Sequence, residues 1–156
     1  MKQISVIGSS VCDEAEAKLA EEVGAEIAHS GAALICGGMG GVMEAASRGA
    51  KNAGGTVVGI LPGLKSAEGN SYTDISILTG MGDGRNIIVA SSGDAVIAIG
   101  GEFGTLSEIG LAIKNRRPVI GLNTWPLNVK DYCKGKDIVV AKTAKEAVSS
   151  ALRLIK

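Results

Sequence analysis

Short continuous apolar runs alternate along this chain with segments whose apolar residues recur at three- and four-residue steps. Gln3–Gly8 has the first pattern and predicts a strand. Asp13–His29 has the second: Ala17, Ala20, Val23 and Ile27 share one helical face. Ala33–Cys36 predicts a short strand, leading through Gly37-Gly38-Met39-Gly40-Gly41 into a helix from Val42 to about Ala53. Strands are expected at Thr56–Leu61 and Asp74–Thr79, separated by a polar loop around Pro62–Tyr72. The rest reads as helix Gly84–Ser92, strand Asp94–Gly100, helix Thr105–Asn115 and strand Pro118–Leu122. A loop with Trp125 and Pro126 follows, then a last strand, Asp137–Ala141, and a last helix, Thr143–Lys156. Alternating β and α segments with fully apolar strands predict a parallel sheet covered on both faces. The expected fold is α/β: a doubly wound, mostly parallel, three-layer Rossmann-like sheet. At 156 residues the chain is expected to form one domain, residues 1–156.

Such folds bind ligands beyond the carboxyl ends of their strands, where strand order reverses. The glycines cluster there. Gly8, Gly37–Gly41, Gly80–Gly84 and Gly100–Gly104 each follow a predicted strand and precede a helix. Four such turns would offer a floor of backbone N–H groups and helix N-termini suited to a phosphate or another anion. The plainer reading is that glycine is common in short βα loops. Composition favours the ligand edge: 23 of 156 residues are glycine, about twice the usual share, and only 3% are aromatic.

Several function classes are excluded. Sixteen Lys+Arg balance sixteen Asp+Glu, which removes the charge argument for nucleic acid or an anionic membrane as partner. Cys12, Cys36 and Cys133 are odd in number and widely spaced, as expected of reduced thiols rather than a disulfide frame or zinc site. A single histidine, His29, leaves no material for a His-rich metal centre. No apolar run approaches the ~18 residues of a membrane span, and Ile4–Ile7 is too short for a signal-peptide core. A soluble cytoplasmic protein is expected. Gly8-Ser9-Ser10-Val11-Cys12-Asp13 stands where a dinucleotide site would carry GxGxxG, and no GxxxxGK[ST] occurs.

Two paired segments carry the chemistry. One is Gly37-Gly38-Met39-Gly40-Gly41-Val42-Met43-Glu44, with Gly54–Pro62 downstream. The other is Met81-Gly82-Asp83-Gly84-Arg85-Asn86, followed by Gly100-Gly101-Glu102-Phe103-Gly104-Thr105-Leu106-Ser107-Glu108. Together they resemble the LOG ("lonely guy") superfamily of nucleoside-monophosphate phosphoribohydrolases, whose signature is PGGxGTxxE with an upstream arginine. The resemblance runs from about Ile4 to Leu122. The chain departs from the signature at Ile99, where the proline would stand. It also has two residues, Glu102 and Phe103, between the glycine pair and Gly104, where the hydrolases have one. In this it is more similar to the molybdenum-cofactor-carrier-like branch. The resemblance places Arg85 and Glu108 at the hydrolases' catalytic arginine and glutamate, and Gly104 and Thr105 at their phosphate cradle. Nothing marks a pyridoxal-phosphate lysine, although members of the superfamily are often labelled lysine decarboxylases.

The candidate ligand residues are therefore Gly8, Ser9, Gly37, Gly38, Gly40, Gly41, Arg85, Asn86, Gly100, Gly101, Gly104, Thr105 and Glu108. Arg85 and Glu108 become catalytic only if the protein is a hydrolase. No metal and no required cofactor is expected; the ligand would be a nucleoside monophosphate or a molybdopterin-type molecule. Each assignment has a plainer counterpart. Thr105-x-x-Glu108 also has capping-box spacing, as does Thr143-x-x-Glu146, which no glycine loop precedes. Arg85 could be a solvated arginine at a helix start. Glu102 would repel an anion unless it points away or binds a ribose hydroxyl. Ser10 could reach a ligand as Ser9 could, although Asp13-Glu14 already suit the next helix's positive end. His29 suits a helix C-terminus, Cys12 a small buried hydrophobe, and Trp125 and Tyr132 packing or rim positions.

Leu106, Ile109, Leu111, Ala112 and Ile113 surround most of one helix, and Ile87–Ala90 most of another. Helices apolar all round are buried on more than one side, so a homodimer or larger homo-oligomer through them is expected. A binding or carrier protein for a phosphorylated nucleotide-like or pterin-like molecule is the first functional reading. Hydrolysis of a nucleoside monophosphate's N-glycosidic bond is the second, and an allosteric sensor module the third.

Overall fold

The computed structural model describes residues 1–127 and 138–155. Cys133 and Tyr132 lie outside the described residues. Seven strands run in the order β1 (Gln3–Gly8), β2 (Ala33–Cys36), β3 (Val57–Leu61), β4 (Ile75–Leu78), β5 (Ala95–Ile99), β6 (Val119–Leu122) and β7 (Val139–Val140). Five helices join them: α1 (Glu14–His29), α2 (Val42–Asn52), α3 (Asn86–Ser92), α4 (Phe103–Lys114) and α5 (Ala144–Leu154). In space the strands lie β4-β3-β2-β1-β5-β6-β7, and every pairing is parallel. The chain builds outward from β1 in one direction, then crosses back to β5 on its other side. That reversal makes the space beyond the ends of β1 and β5 the place for a ligand.

The sheet divides two apolar layers, as the period of two along a strand requires. On β5, Ala95, Ile97 and Ile99 enter the layer beneath α1, α2 and α5, with Val23, Ile27, Ala46 and Val148. Val96 and Ala98 enter the opposite layer beneath α3 and α4, with Val89, Ile109 and Ala112. All five β5 residues are buried, which explains the uninterrupted apolar run. α1 and α2 cross at glycines: a Cβ on Gly24 would lie 1.9 Å from the Ala46 carbonyl oxygen, and one on Gly49 would lie 1.9 Å from that of Glu21. These glycines serve helix contact rather than the ligand edge. At the other margin β4 stays open, with Ile75, Ile77 and Leu78 exposed, because only the short 3₁₀ turn Ser66–Glu68 follows β3.

Two helix starts differ from the sequence-based expectation. α4 opens at Phe103 rather than Thr105, with Glu102 at the N-cap and its carbonyl accepting from Leu106 N–H at 3.0 Å. Gly104, a weak helix former, disguised the first turn. The segment expected as helix Gly84–Ser92 is a 3₁₀ turn, Gly82–Arg85, running into α3. Among the described residues no helix is long and apolar enough to cross a membrane.

Candidate functional site

A cleft of ≈ 200 Å³ opens beyond the carboxyl ends of β1, β2 and β5. Val6 and Ile7 form its floor, and Gly8, Ser9 and Ser10 form one wall. Gly37 and Met43 lie behind, Asp83, Arg85 and Asn86 come from the turn before α3, and Glu102, Gly104, Thr105 and Glu108 come from the start of α4.

Arg85 is the cation of the cleft, and it is buried rather than solvated, only 9% exposed. The tight 3₁₀ turn delivers its side chain inward across the end of β2. One terminal nitrogen donates to the Gly37 carbonyl at 3.4 Å and the other to Asn86 Oδ1. Its Nε is buried and has no hydrogen-bond partner among the described residues. A guanidinium has five donors, and an unmet buried one costs about 1–3 kcal/mol, so this fork is short of an acceptor. Gly37 makes the position possible: a Cβ there would stand 2.6 Å from the guanidinium and 2.7 Å from Met43 Sδ.

Glu108 faces this guanidinium at 3.8 Å, an ion-pair separation beyond hydrogen-bond reach. It is 7% exposed, and burial pushes its carboxyl up to about 7, against the lowering pull of Arg85. The capping-box alternative does not hold here. Thr105 lies inside α4, and no side chain caps that helix. At α5 the same spacing does make a side-chain cap: Glu146 N–H donates to Thr143 Oγ1 at 3.2 Å, while Glu146 Oε2 accepts from Lys142 N–H, one residue before the cap, at 2.9 Å. Identical spacing thus gives a cap at one helix and a buried carboxyl at the other.

The amides of Phe103, Gly104 and Thr105 begin α4 and have no intrahelical acceptors. With the helix dipole they favour an anion at the Thr105 end of the cleft. Thr105 is itself buried, its hydroxyl held close over Gly101.

Of the expected ligand residues, the cleft brings together Gly8, Ser9, Gly37, Arg85, Asn86, Gly104, Thr105 and Glu108. Gly38, Gly40, Gly41, Gly100 and Gly101 do not border it. The Gly38 amide donates to Cys36 Sγ at 3.3 Å and the Gly100 amide to the Leu122 carbonyl at 3.0 Å. Gly41 lies against the Ser9 and Ser10 backbone, and the first amide of α2, Val42 N–H, donates to the Ser9 carbonyl at 3.0 Å. The amides of Gly80 and Gly82 donate across to the Gly63 and Pro62 carbonyls of the loop after β3, and that of Gly84 to the Met81 carbonyl of its own turn. The four-turn amide floor expected from the glycines therefore narrows to two turns, β1–α1 and β5–α4; the other two shape and carry Arg85. Asp83 and Met43 escaped the sequence reading. Asp83 had a local signal, since it stands between two glycines of the turn that aims Arg85.

The remaining candidates among the described residues do not line the cleft. Cys12 is half-buried, and its thiol is pushed up by burial and by Glu16 and Asp13, which disfavours a thiolate nucleophile. Cys36 is fully buried beside the Ser47 hydroxyl at 3.5 Å. His29 lies exposed in the last turn of α1. Trp125 packs on Phe103 at the rim, ring centres 5.7 Å apart. Among the described residues no group of three His, Cys, Asp or Glu side chains is placed to hold a metal ion.

Known proteins share this fold. A molybdenum cofactor binding protein from Rippkaea orientalis superposes with TM-score 0.92 at 36% identity, covering 99% of this chain and 98% of that one. The molybdenum cofactor carrier protein from Chlamydomonas reinhardtii gives TM-score 0.86 at 35% identity, covering 98% and 97%. An uncharacterised protein of Archaeoglobus fulgidus is 49% identical over 122 residues, 78% of this chain and 80% of that protein. A cytokinin riboside 5'-monophosphate phosphoribohydrolase of Rhodococcoides fascians is 35% identical over 96 residues, 58% of this chain and 48% of its own length. The SLOG cluster4 family model matches residues 1–150. The chain is a member of the SLOG cluster4 family, a LOG-like Rossmann protein close to the molybdenum cofactor carriers.

Proposed function

We propose that this protein binds and carries a phosphorylated small molecule of nucleotide-like or pterin-like structure. One observation carries the reading: a buried guanidinium with an unmet donor and the residues that start a helix, Gly104 and Thr105, line the same small polar cleft. An incoming phosphate would take hydrogen bonds from Arg85, from the Gly104 and Thr105 amides, and from the Ser9 and Ser10 hydroxyls. Similarity to cofactor-carrying proteins over nearly the whole chain supports a role in holding rather than transforming the ligand. Native mass spectrometry of the purified protein tests this. A co-purifying phosphorylated small molecule is expected. Absence of any such species, together with no affinity for added nucleoside monophosphates, would refute it.

The Arg85–Glu108 pair favours hydrolysis as a second reading. A carboxyl tuned to about 7 sits where it could alternate between proton donor and acceptor near neutral pH. Beside a ribosyl ring it would orient water or stabilise oxocarbenium character while Arg85 holds the phosphate. Incubation with AMP separates the two readings, since a hydrolase releases free base and loses that release in Glu108→Gln. Assembly through α3 and α4 belongs to the same proposal: Ile87 is exposed, and Leu106, Leu111 and Ile113 are only half-buried. Light scattering that returns the mass of one chain would remove that part.

A further inference from the structure

Resting on the phosphate-cleft reading, we infer that the Glu102–Phe103 segment and Trp125 form the subsite for the ligand's heterocycle. This subsite would select planar rings that present an N–H donor edge. The volume sets the problem. At ≈ 200 Å³ the cleft is smaller than the roughly 300–1,000 Å³ of sites that enclose a whole drug-sized ligand. A phosphate and sugar-sized portion fills it, and the ring must extend over the rim.

The chain has one phenylalanine and one tryptophan, and both stand at that rim. Phe103 lies between the cleft-lining residues Glu102 and Gly104, is 78% exposed, and leans on Trp125 at 40°. The indole N–H donates to the Glu102 carbonyl at 3.2 Å, which ties the rim loop to the aromatic pair. Holding a lone phenylalanine in water contributes nothing to the core. An exposed aromatic face beside an anion site is suited to stacking a base.

The charges specify the ring's edge. Glu102, Asp83 and Glu108 line the cleft against the single cation Arg85. Glu108 is buried against Arg85, so the acceptors open to the ligand are the exposed Glu102 and Asp83, whose oxygens take N–H donors from its ring. Glu102 makes no cap bond to its own helix and stands beside Phe103. Its two oxygens match the paired N–H donors of a 2-amino-4-oxopyrimidine edge, the donor group common to guanine and pterins. Adenine's ring edge offers no such pair.

Calorimetric titration with GMP, IMP, AMP, neopterin monophosphate and inorganic phosphate tests this, using wild type, Glu102→Ala and Phe103→Ala. GMP and the pterin are expected to bind at least about tenfold more tightly than AMP, with IMP between them. Glu102→Ala should bring GMP to the level of AMP. Phe103→Ala should weaken GMP and AMP alike by about tenfold, leaving inorganic phosphate unaffected. The GMP and pterin arms show which ring system fits better. Nucleotides that bind with one common affinity, displaced by phosphate and indifferent to both substitutions, would overturn the subsite while leaving the phosphate cleft standing. If neither phosphate nor any phosphorylated probe binds, the cleft reading fails, and the subsite with it.

Discussion

Glu108→Gln replaces a buried carboxyl with its neutral isostere and exposes the cost of ionising it. The carboxyl ordinarily titrates near 4.5; burial raises it to about 7 in the fold despite Arg85 at 3.8 Å. Between those values the folded protein holds a proton that the unfolded chain has released. Stability therefore falls as pH rises from about 4.5 to about 7, then levels off. At 1.36 kcal/mol per tenfold the interval corresponds to about 3 kcal/mol. Glutamine carries no such charge, so the variant lacks this slope. Urea unfolding of both proteins at several pH values isolates the effect, because all other titrating groups cancel in the difference. The variant's advantage should grow by about 3 kcal/mol between pH 4.5 and 8, or about 6–12 °C in melting temperature for a chain of this size. A difference that stays flat over that range would refute the burial argument.

Three further outcomes follow from the geometry. Inorganic phosphate affinity, taken relative to Glu108→Gln so that phosphate's own ionisation near neutral pH cancels, should fall as pH rises through about 7, because Glu108 then becomes an anion beside the ligand. Gly37→Ala places a methyl 2.6 Å from the Arg85 guanidinium and should cut phosphate affinity by about tenfold or more, since it displaces a charge-assisted hydrogen-bond donor. Gly24→Ala, far from the cleft, drives a methyl into the Ala46 carbonyl and should cost about 1–3 kcal/mol in urea unfolding, with phosphate affinity unchanged.

The sheet was legible because its central strands are buried on both faces, so that Ala95–Ile99 shows an unbroken apolar run. The place of the cleft was legible too, because glycine-bearing turns mark the carboxyl end of a parallel sheet. What spacing could not resolve was which glycines border that cleft. Gly37 and Gly41 stand in one loop, yet one makes room for a guanidinium while the other seats the Ser9–Ser10 backbone. That choice is made by packing between turns distant in sequence. Thr105 and Glu108 show the same limit. Their spacing matches Thr143 and Glu146, and only the start of α4 two residues earlier, at Phe103, removes Thr105 from the cap. Burial of Arg85 likewise depends on a 3₁₀ turn where the periodicity predicted plain helix.

The most direct measurement is a crystal structure of the protein soaked with GMP. Phosphate density is expected within hydrogen-bond distance of the Gly104 and Thr105 amides, with an oxygen taking up the donor on Arg85 Nε. Nucleotide bound elsewhere on the surface, with the guanidinium still resting on the Gly37 carbonyl and its Nε unmet, would contradict the account.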